Sequence, residues 1–262
     1  MAMKRGLFAR LYPFGKAIGR RLPTGAKTTL RSLWNRLVMR RPDLGSVDLA
    51  DLRRLKPISA EVGWDRGQPI DRYYIDRFLD THRHDIRGHV LEAGEDRYTR
   101  AFGDDRVTRC DILDVVDGLP NTTIVADLTT ADEIPDDAFD CIILTQTLQM
   151  IYDTRAALHH AHRILRPRGS LIMTTHGISP ICRVEGVDPW GEYWHFTSQS
   201  LRRLCAESMP GATCTITAYG NVLSAAAWLY GLAAEELSQQ ELDHRDPRYE
   251  ILIGVRAVKA AS

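Results

Sequence analysis

The sequence predicts an α/β fold, a parallel sheet with helices on both faces. Three observations carry that prediction. Short apolar runs of strand length recur between residues 89 and 174. Segments with helical spacing fall before and between them. Several runs end on glycine or a carboxylate, as when a chain leaves a buried strand for a loop.

Residues 1–56 read as a basic arm. Eleven Lys or Arg and no acid stand between Met1 and Pro42. Phe8, Leu11, Tyr12, Phe14 and Ile18 interleave with Arg10, Lys16, Arg20 and Arg21. Leu30, Leu33, Trp34, Leu37 and Val38 repeat this among Arg31, Arg36 and Arg40. Spacings of three and four put the apolar groups on one face and the cations on the others. Such an arm suits an anionic membrane surface. It equally suits packing on an acidic body, or partial disorder.

Residues 57–262 form the body. Asp65 to Ile70 reads as a turn, with Pro69 suited to a helix's first turn. A cap helix follows over Asp71 to Thr81, with Tyr74, Ile75, Phe78 and Leu79 on one face. After Gly88 the period shifts to strands: 89–94, 106–111, 122–127 and 139–144. A helix over Thr154 to Leu165 precedes a fifth strand over 170–174, and 213–218 and 250–258 make two late strands. Val222 to Leu237 reads as a buried helix or a dimer face.

The 262 residues are 44% hydrophobic and 26% charged, which excludes collagen, a disordered chain and a disulfide miniprotein. Net charge is zero, but beyond Pro42 the chain carries 23 basic and 34 acidic residues. An acidic body repels phosphates, so nucleic acid is not the expected partner. Cys110, Cys141, Cys182, Cys205 and Cys214 have no zinc or redox spacing, so no metal is expected. Arg10 and Lys16 interrupt any signal-peptide core. The expected location is the cytoplasm, with the arm a candidate for contact at the inner membrane face.

Open parallel sheets bind ligands outside the carboxyl ends of their strands. There stand Glu92 and Gly94, then Asp111, then Asp127, then Thr145, Gln146 and Thr147. Singly, Asp111 and Asp127 also read as loop carboxylates or helix caps. From Gly88 to Thr175 the order resembles the class I S-adenosylmethionine-dependent methyltransferases. Ala126-Asp127-Leu128, Ile134 to Asp140 and Arg163-Ile164-Leu165-Arg166-Pro167-Arg168-Gly169 carry the likeness. Asp65 to Phe78, Tyr98 to Gly103, Thr145 to Tyr152 and Trp190 to Thr197 add a narrower likeness to small bacterial methyltransferases of type 11.

That resemblance implies a Rossmann-like, seven-stranded, mostly parallel sheet whose last strand is antiparallel. It implies S-adenosyl-L-methionine as cofactor, with Asp111 on the ribose hydroxyls and Asp127 and Leu128 at the adenine. Glu92 and Gly94 come near the methionine end, and Tyr73, Tyr98 and Thr145 complete the cofactor contacts. The first loop departs from the family pattern. Glu92-Ala93-Gly94-Glu95-Asp96 keeps a single glycine, and its two extra acids repel the cofactor carboxylate unless Arg97 or Arg100 neutralises them.

Methyl transfer to a hydroxyl needs alignment and a general base. His176, just past strand five, and His195 are the candidates. Trp190, Tyr193 and Trp194 suit a wall for a sugar ring or apolar acceptor, or a cluster capping the sheet edge. The expected function is O-methylation of a small-molecule or glycan hydroxyl. The alternative is a non-catalytic binding or scaffold protein on the same fold.

Overall fold

The computed structural model describes Gly25 and residues 42–119, 121–181 and 191–261. Met1–Leu55 and Lys56–Ser262 form two compact units. In the first, a turn at Leu44 and Gly45 leads to one 3-10 turn, Ala50–Leu52. The two basic amphipathic stretches of the arm lie outside the described residues.

The second unit is built on seven strands: β1 (Gly88–Ala93), β2 (Val107–Asp114), β3 (Ile124–Val125), β4 (Phe139–Thr145), β5 (Leu165–His176), β6 (Thr213–Tyr219) and β7 (Leu252–Val258). Their order is β3-β2-β1-β4-β5-β7-β6. Strand β7 runs antiparallel to both neighbours, and all other pairs are parallel. Strand order reverses between β1 and β4, which makes that point the ligand crevice of such a sheet.

Among the described residues six helices flank it: α1 (Ile70–Thr81), α2 (Arg97–Phe102), α3 (Thr154–Ile164), α4 (Ser198–Ser208), α5 (Val222–Leu229) and α6 (Gln239–Asp243). Ala157, Leu158, Ala161 and Ile164 of α3 bury against one face, with Leu201 and Cys205 of α4. Ile70, Tyr74 and Phe78 of α1 bury against the other, with Tyr98 of α2, Trp228 of α5 and Leu242 of α6. Each large apolar side chain so buried contributes roughly 1.5–3 kcal/mol. Gly254 in β7 lets α1 approach, since a Cβ there would lie 2.5 Å from Phe78.

Caps set where the helices begin. The Asp153 carboxylate accepts from the Ala156 N–H, and Thr197 and Ser200 form a reciprocal cap on α4. Asn221 accepts from the N–H groups of Leu223 and Ser224 at the start of α5.

Four elements differ from the sequence reading. Strand β2 does not stop at Asp111 but runs to Asp114, because Ile112 and Leu113 continue its buried face. Strand β3 holds two residues only, since Leu113 and Asp114 are its sole ladder partners. Strand β5 opens at Leu165 rather than Ser170; its register to β4 shifts between Phe139 and Cys141, and Arg168 there sits at φ +67°. The helix read over Val222 to Leu237 stops at Leu229. Gly231 turns at φ +71°, tight against the Ser59 carbonyl, and Val222, Leu223 and Leu229 stay exposed. Among the described residues no helix is long and apolar enough to cross a membrane.

Candidate active site

At the β1–β2 end, two buried carboxylates are fully employed. Glu92 points to the α1–α2 face, where its oxygens accept from the N–H groups of Tyr98 (3.0 Å) and Thr99 (2.7 Å). Those donors open α2 and have no intrahelical partner, so Glu92 acts as its cap. Burial pushes its carboxyl up to about 7, against the pull of those N–H groups. Asp111 points to the opposite face, level with Leu91. Its oxygens accept from His89 Nε2 (2.6 Å), Thr123 Oγ1 (2.9 Å) and Arg109 Nη2 (2.9 and 3.1 Å). Burial works against its charge, but these three donors outweigh it and hold Asp111 below the usual carboxylate range.

Past these acids the strand ends lie open. Gly94 sits at φ +82°, and nothing stands within 4 Å of where a Cβ would project. Its N–H donates to the Leu113 carbonyl at 2.9 Å, which brings the loop level with the end of β2. There Asp114, not Asp111, presents the terminal carboxylate, with one oxygen accepting from the Val116 N–H at 2.9 Å. Beyond β3, Asp127 is exposed; its Oδ1 accepts from the Thr129 N–H and hydroxyl, both at 2.8 Å. The Leu128 side chain is buried in the core. Of the two extra acids in the first loop, Asp96 is paired with Arg100 at 2.6 Å.

Tyr98 and Tyr73 part company. The Tyr98 hydroxyl, under α1, accepts from Arg72 Nη1 at 2.8 Å. Tyr73 instead faces α6, bonded to Asp243 (2.8 Å) and Gln239 (2.5 Å). The structure does not bring Tyr73 together with the strand-end groups.

The β4–β5 end is different in kind. Thr145 closes β4 and pairs in register with Thr174. Gln146 follows at φ +53°, a conformation that costs a non-glycine residue of order 1 kcal/mol. Its amide oxygen accepts from Gln149 Nε2 at 2.7 Å. Gln146 Nε2, Gln149 Oε1, Thr174 Oγ1, Thr175 Oγ1 and His176 Nε2 are all buried without a hydrogen-bond partner. Each such group costs roughly 1–3 kcal/mol. They lie at two adjacent strand ends, with Thr174 and His176 on one face of β5 and Thr175 on the other, and such groups call for a polar ligand or for water.

His176 ends β5 among carboxylates. Its Nδ1 lies 3.3 Å from Glu192 Oε1, and its Nε2 lies 3.6 Å from Asp71 Oδ2 at the start of α1. His195 Nε2 lies 3.3 Å from the same Glu192 oxygen. The structure thus unites both candidate bases on one acid. Burial opposes a charge on His176, but Asp71 and Glu192 outweigh it and raise its pKa above the ordinary histidine value. Segment 191–197 is tied across the strand ends: the Tyr193 and Trp194 N–H groups donate to the Gln149 carbonyl, and the Phe196 N–H to the His176 carbonyl.

Tyr193 and Trp194 pack with Tyr152, ring centroids 5.4 and 5.7 Å away. Trp194 Nε1 donates to the Ile151 carbonyl at 3.1 Å. The three rings stay substantially exposed and form an aromatic shelf. Trp190 lies outside the described residues. Among the described residues, no three His, Cys, Asp or Glu are placed to hold a metal ion.

Residues 90–173 match the family model of the methyltransferase domain, and they span the crevice from β1 to β5. Over those residues the chain is similar to a methyltransferase domain. Several solved structures resemble it. The [4+2]-cyclase SpnF is 18% identical, with 75% of this chain and 84% of that one covered and a TM-score of 0.49. The 1,6-didemethyltoxoflavin-N1-methyltransferase of Burkholderia thailandensis is 17% identical (75% and 80% covered, TM-score 0.47). A methyltransferase of Mesorhizobium loti is also 17% identical (72% and 98% covered, TM-score 0.46). No curated protein matches the chain.

Around this crevice, sequence reasoning singled out Gln146 but missed Asp71, Asp114, Gln149 and Glu192. The apolar pair Ile112-Leu113 was the available signal that β2 runs on to Asp114. Glu192 stands three residues before His195, but only the fold brings His176 to it. Nothing local marks Asp71 or the positive φ of Gln146.

Proposed function

We propose that the chain methylates a hydroxyl group of a small-molecule or glycan acceptor with S-adenosyl-L-methionine. The observation that carries this reading is the division of the strand ends. An open loop with free acceptors lies over β1–β3, and unpartnered polar atoms with a histidine–carboxylate cluster lie over β4–β5. S-adenosylmethionine, when bound, supplies an electrophilic methyl group on a cationic sulfur.

The residues present fit that cofactor. The Asp114 carboxylate suits the two ribose hydroxyls, and replaces Asp111, whose oxygens are already engaged. Asp127 Oδ2 and the Leu128 N–H suit the adenine edge. The open space at Gly94 admits the chain between ribose and sulfur. Glu92 contributes indirectly, by fixing the start of α2 under that loop.

The acceptor side needs a base, because a hydroxyl must lose its proton as its oxygen bonds to carbon. His176 Nε2 is buried and unpartnered, and takes that role. Gln146 Nε2 and Thr174 Oγ1, also buried and unpartnered, are assigned here to the acceptor oxygen. The shelf of Tyr152, Tyr193 and Trp194 offers faces on which a sugar ring stacks.

Calorimetric titration of the full chain with S-adenosylhomocysteine tests the cofactor half. Micromolar binding that Asp114→Ala weakens tenfold or more is expected. Folded protein that binds nothing at millimolar ligand would point to the non-catalytic alternative.

A further inference from the structure

We infer that Glu192 is a positioning residue: it fixes the His176 imidazole with Nε2 bare, and it shares the same oxygen with His195. The inference rests on the reading of His176 as the base. Glu192 Oε1 stands 3.3 Å from His176 Nδ1 and 3.3 Å from His195 Nε2. An ionised carboxylate can only accept, so the His176 Nδ1 that bonds to it donates. A neutral His176 therefore carries its proton on Nδ1 and its lone pair on Nε2. That nitrogen is buried and unpartnered, which is the state a base needs.

The surroundings favour proton uptake there. Asp71, on α1, places its Oδ2 3.6 Å from Nε2, too far for a direct hydrogen bond. Arg72 Nε lies 3.8 Å from that same oxygen and offsets part of its charge. Trp228, on α5, packs against the ring at 6.3 Å and brings no charge. In the step, the acceptor O–H bond breaks and its electron pair stays on oxygen. The proton bonds to Nε2, and the imidazolium lies between Asp71 and Glu192.

His195 stands against the same support. Its side chain is 34% exposed, whereas that of Glu192 is 1% exposed. A substitution at His195 therefore reaches His176 through the oxygen that both approach.

Nitrogen-15 spectra of the histidine rings test this in the full chain, without ligand, across pH. The wild type is expected to show neutral His176 with its proton on Nδ1. Glu192→Gln should keep that tautomer and weaken proton binding at His176 by about tenfold or more. Glu192→Ala should shift the proton to Nε2. His195→Gln should move the His176 titration midpoint and leave its neutral proton on Nδ1.

A wild-type His176 protonated on Nε2, or one that titrates alike in wild type and Glu192→Gln, overturns the inference. His195→Gln alters a partly exposed side chain and serves if the Glu192 variants do not fold. A His176 curve that this substitution leaves unchanged also overturns the sharing. Because the spectra need no cofactor, the Nδ1 tautomer and its loss in Glu192→Ala, seen in a chain that binds no S-adenosylhomocysteine, would support Glu192 while removing the proposed function.

Discussion

The two ends of the crevice both bury charged and polar groups and both leave a hydroxyl unpaired, Thr99 at one and Thr174 at the other, yet they treat their acids differently. Over β1 and β2, Glu92 and Asp111 have their oxygens taken by backbone N–H groups, a histidine, an arginine and a hydroxyl. Over β4 and β5, five buried polar atoms stay unpaired, and a histidine sits among two acids. Satisfied buried acids hold a fold together. Unsatisfied groups cost stability and are retained where a ligand completes them. On the proposed reading, the difference separates the acids that build the crevice from the histidine and acids that would act in it.

The sharpest break in that comparison comes from His176→Gln. It should lower methyl transfer roughly 10²–10⁴-fold. The readout is transfer of labelled methyl to the acceptors returned by a screen of hydroxylated glycans and small molecules. Because the His176 pKa is raised, the wild-type rate should climb as pH rises through and above neutrality. The stability that charged His176 draws from its acids should be present below pH about 6.5 and fade as pH rises through its folded pKa.

Next comes the contrast between two acids of one strand. Asp111→Ala leaves His89, Arg109 and Thr123 without their shared acceptor, and should cost about 3–5 kcal/mol in denaturant unfolding. Its folded fraction should still bind S-adenosylhomocysteine. Asp114→Ala should do the reverse, with stability within about 1 kcal/mol of wild type and affinity down tenfold or more. A swapped pattern would return the ribose role to Asp111.

Glu92 gives a slightly smaller effect with a distinct pH signature. Its folded pKa of about 7 stands above the ordinary glutamate value. Its contribution to stability is therefore full below pH about 4.5 and is lost as pH rises through 7, a drift of the order of 3 kcal/mol at most. Denaturation midpoints at pH 5 and pH 8 should show that drift in the wild type and not in Glu92→Gln. Smallest is Arg100→Ala, which frees the Asp96 carboxylate beside the loop. Cofactor affinity should fall only a few-fold, and less so at high salt.

Much of this was legible in the chain itself. The apolar runs of β1 and β4, the helical stripe of α1 and the strand–helix alternation depend on local periodicity, and each formed close to its reading. Strand ends were harder. Asp111 is a polar residue inside a strand, which the eye takes for a terminus; only its pairing with His89 and Thr123 shows otherwise. The extent of α5 depended on Gly231 meeting the Ser59 carbonyl, a contact far apart in sequence. The His176 cluster was half visible. His176 and His195 stood out as histidines beside strand ends, but Glu192 meets His176 from sixteen residues away and Asp71 meets it only through packing across more than a hundred residues of chain. Gly94 was visible as a lone glycine, and its positive φ and open surroundings explain how one glycine can suffice there.

The most direct measurement is calorimetric titration of S-adenosylhomocysteine into the full wild-type chain beside Asp111→Ala and Asp114→Ala, each with its folded fraction measured. The division of the crevice predicts micromolar binding by the wild type and by folded Asp111→Ala, and binding at least about tenfold weaker by Asp114→Ala. Absence of binding by folded wild type, or loss of affinity in Asp111→Ala alone, would contradict it.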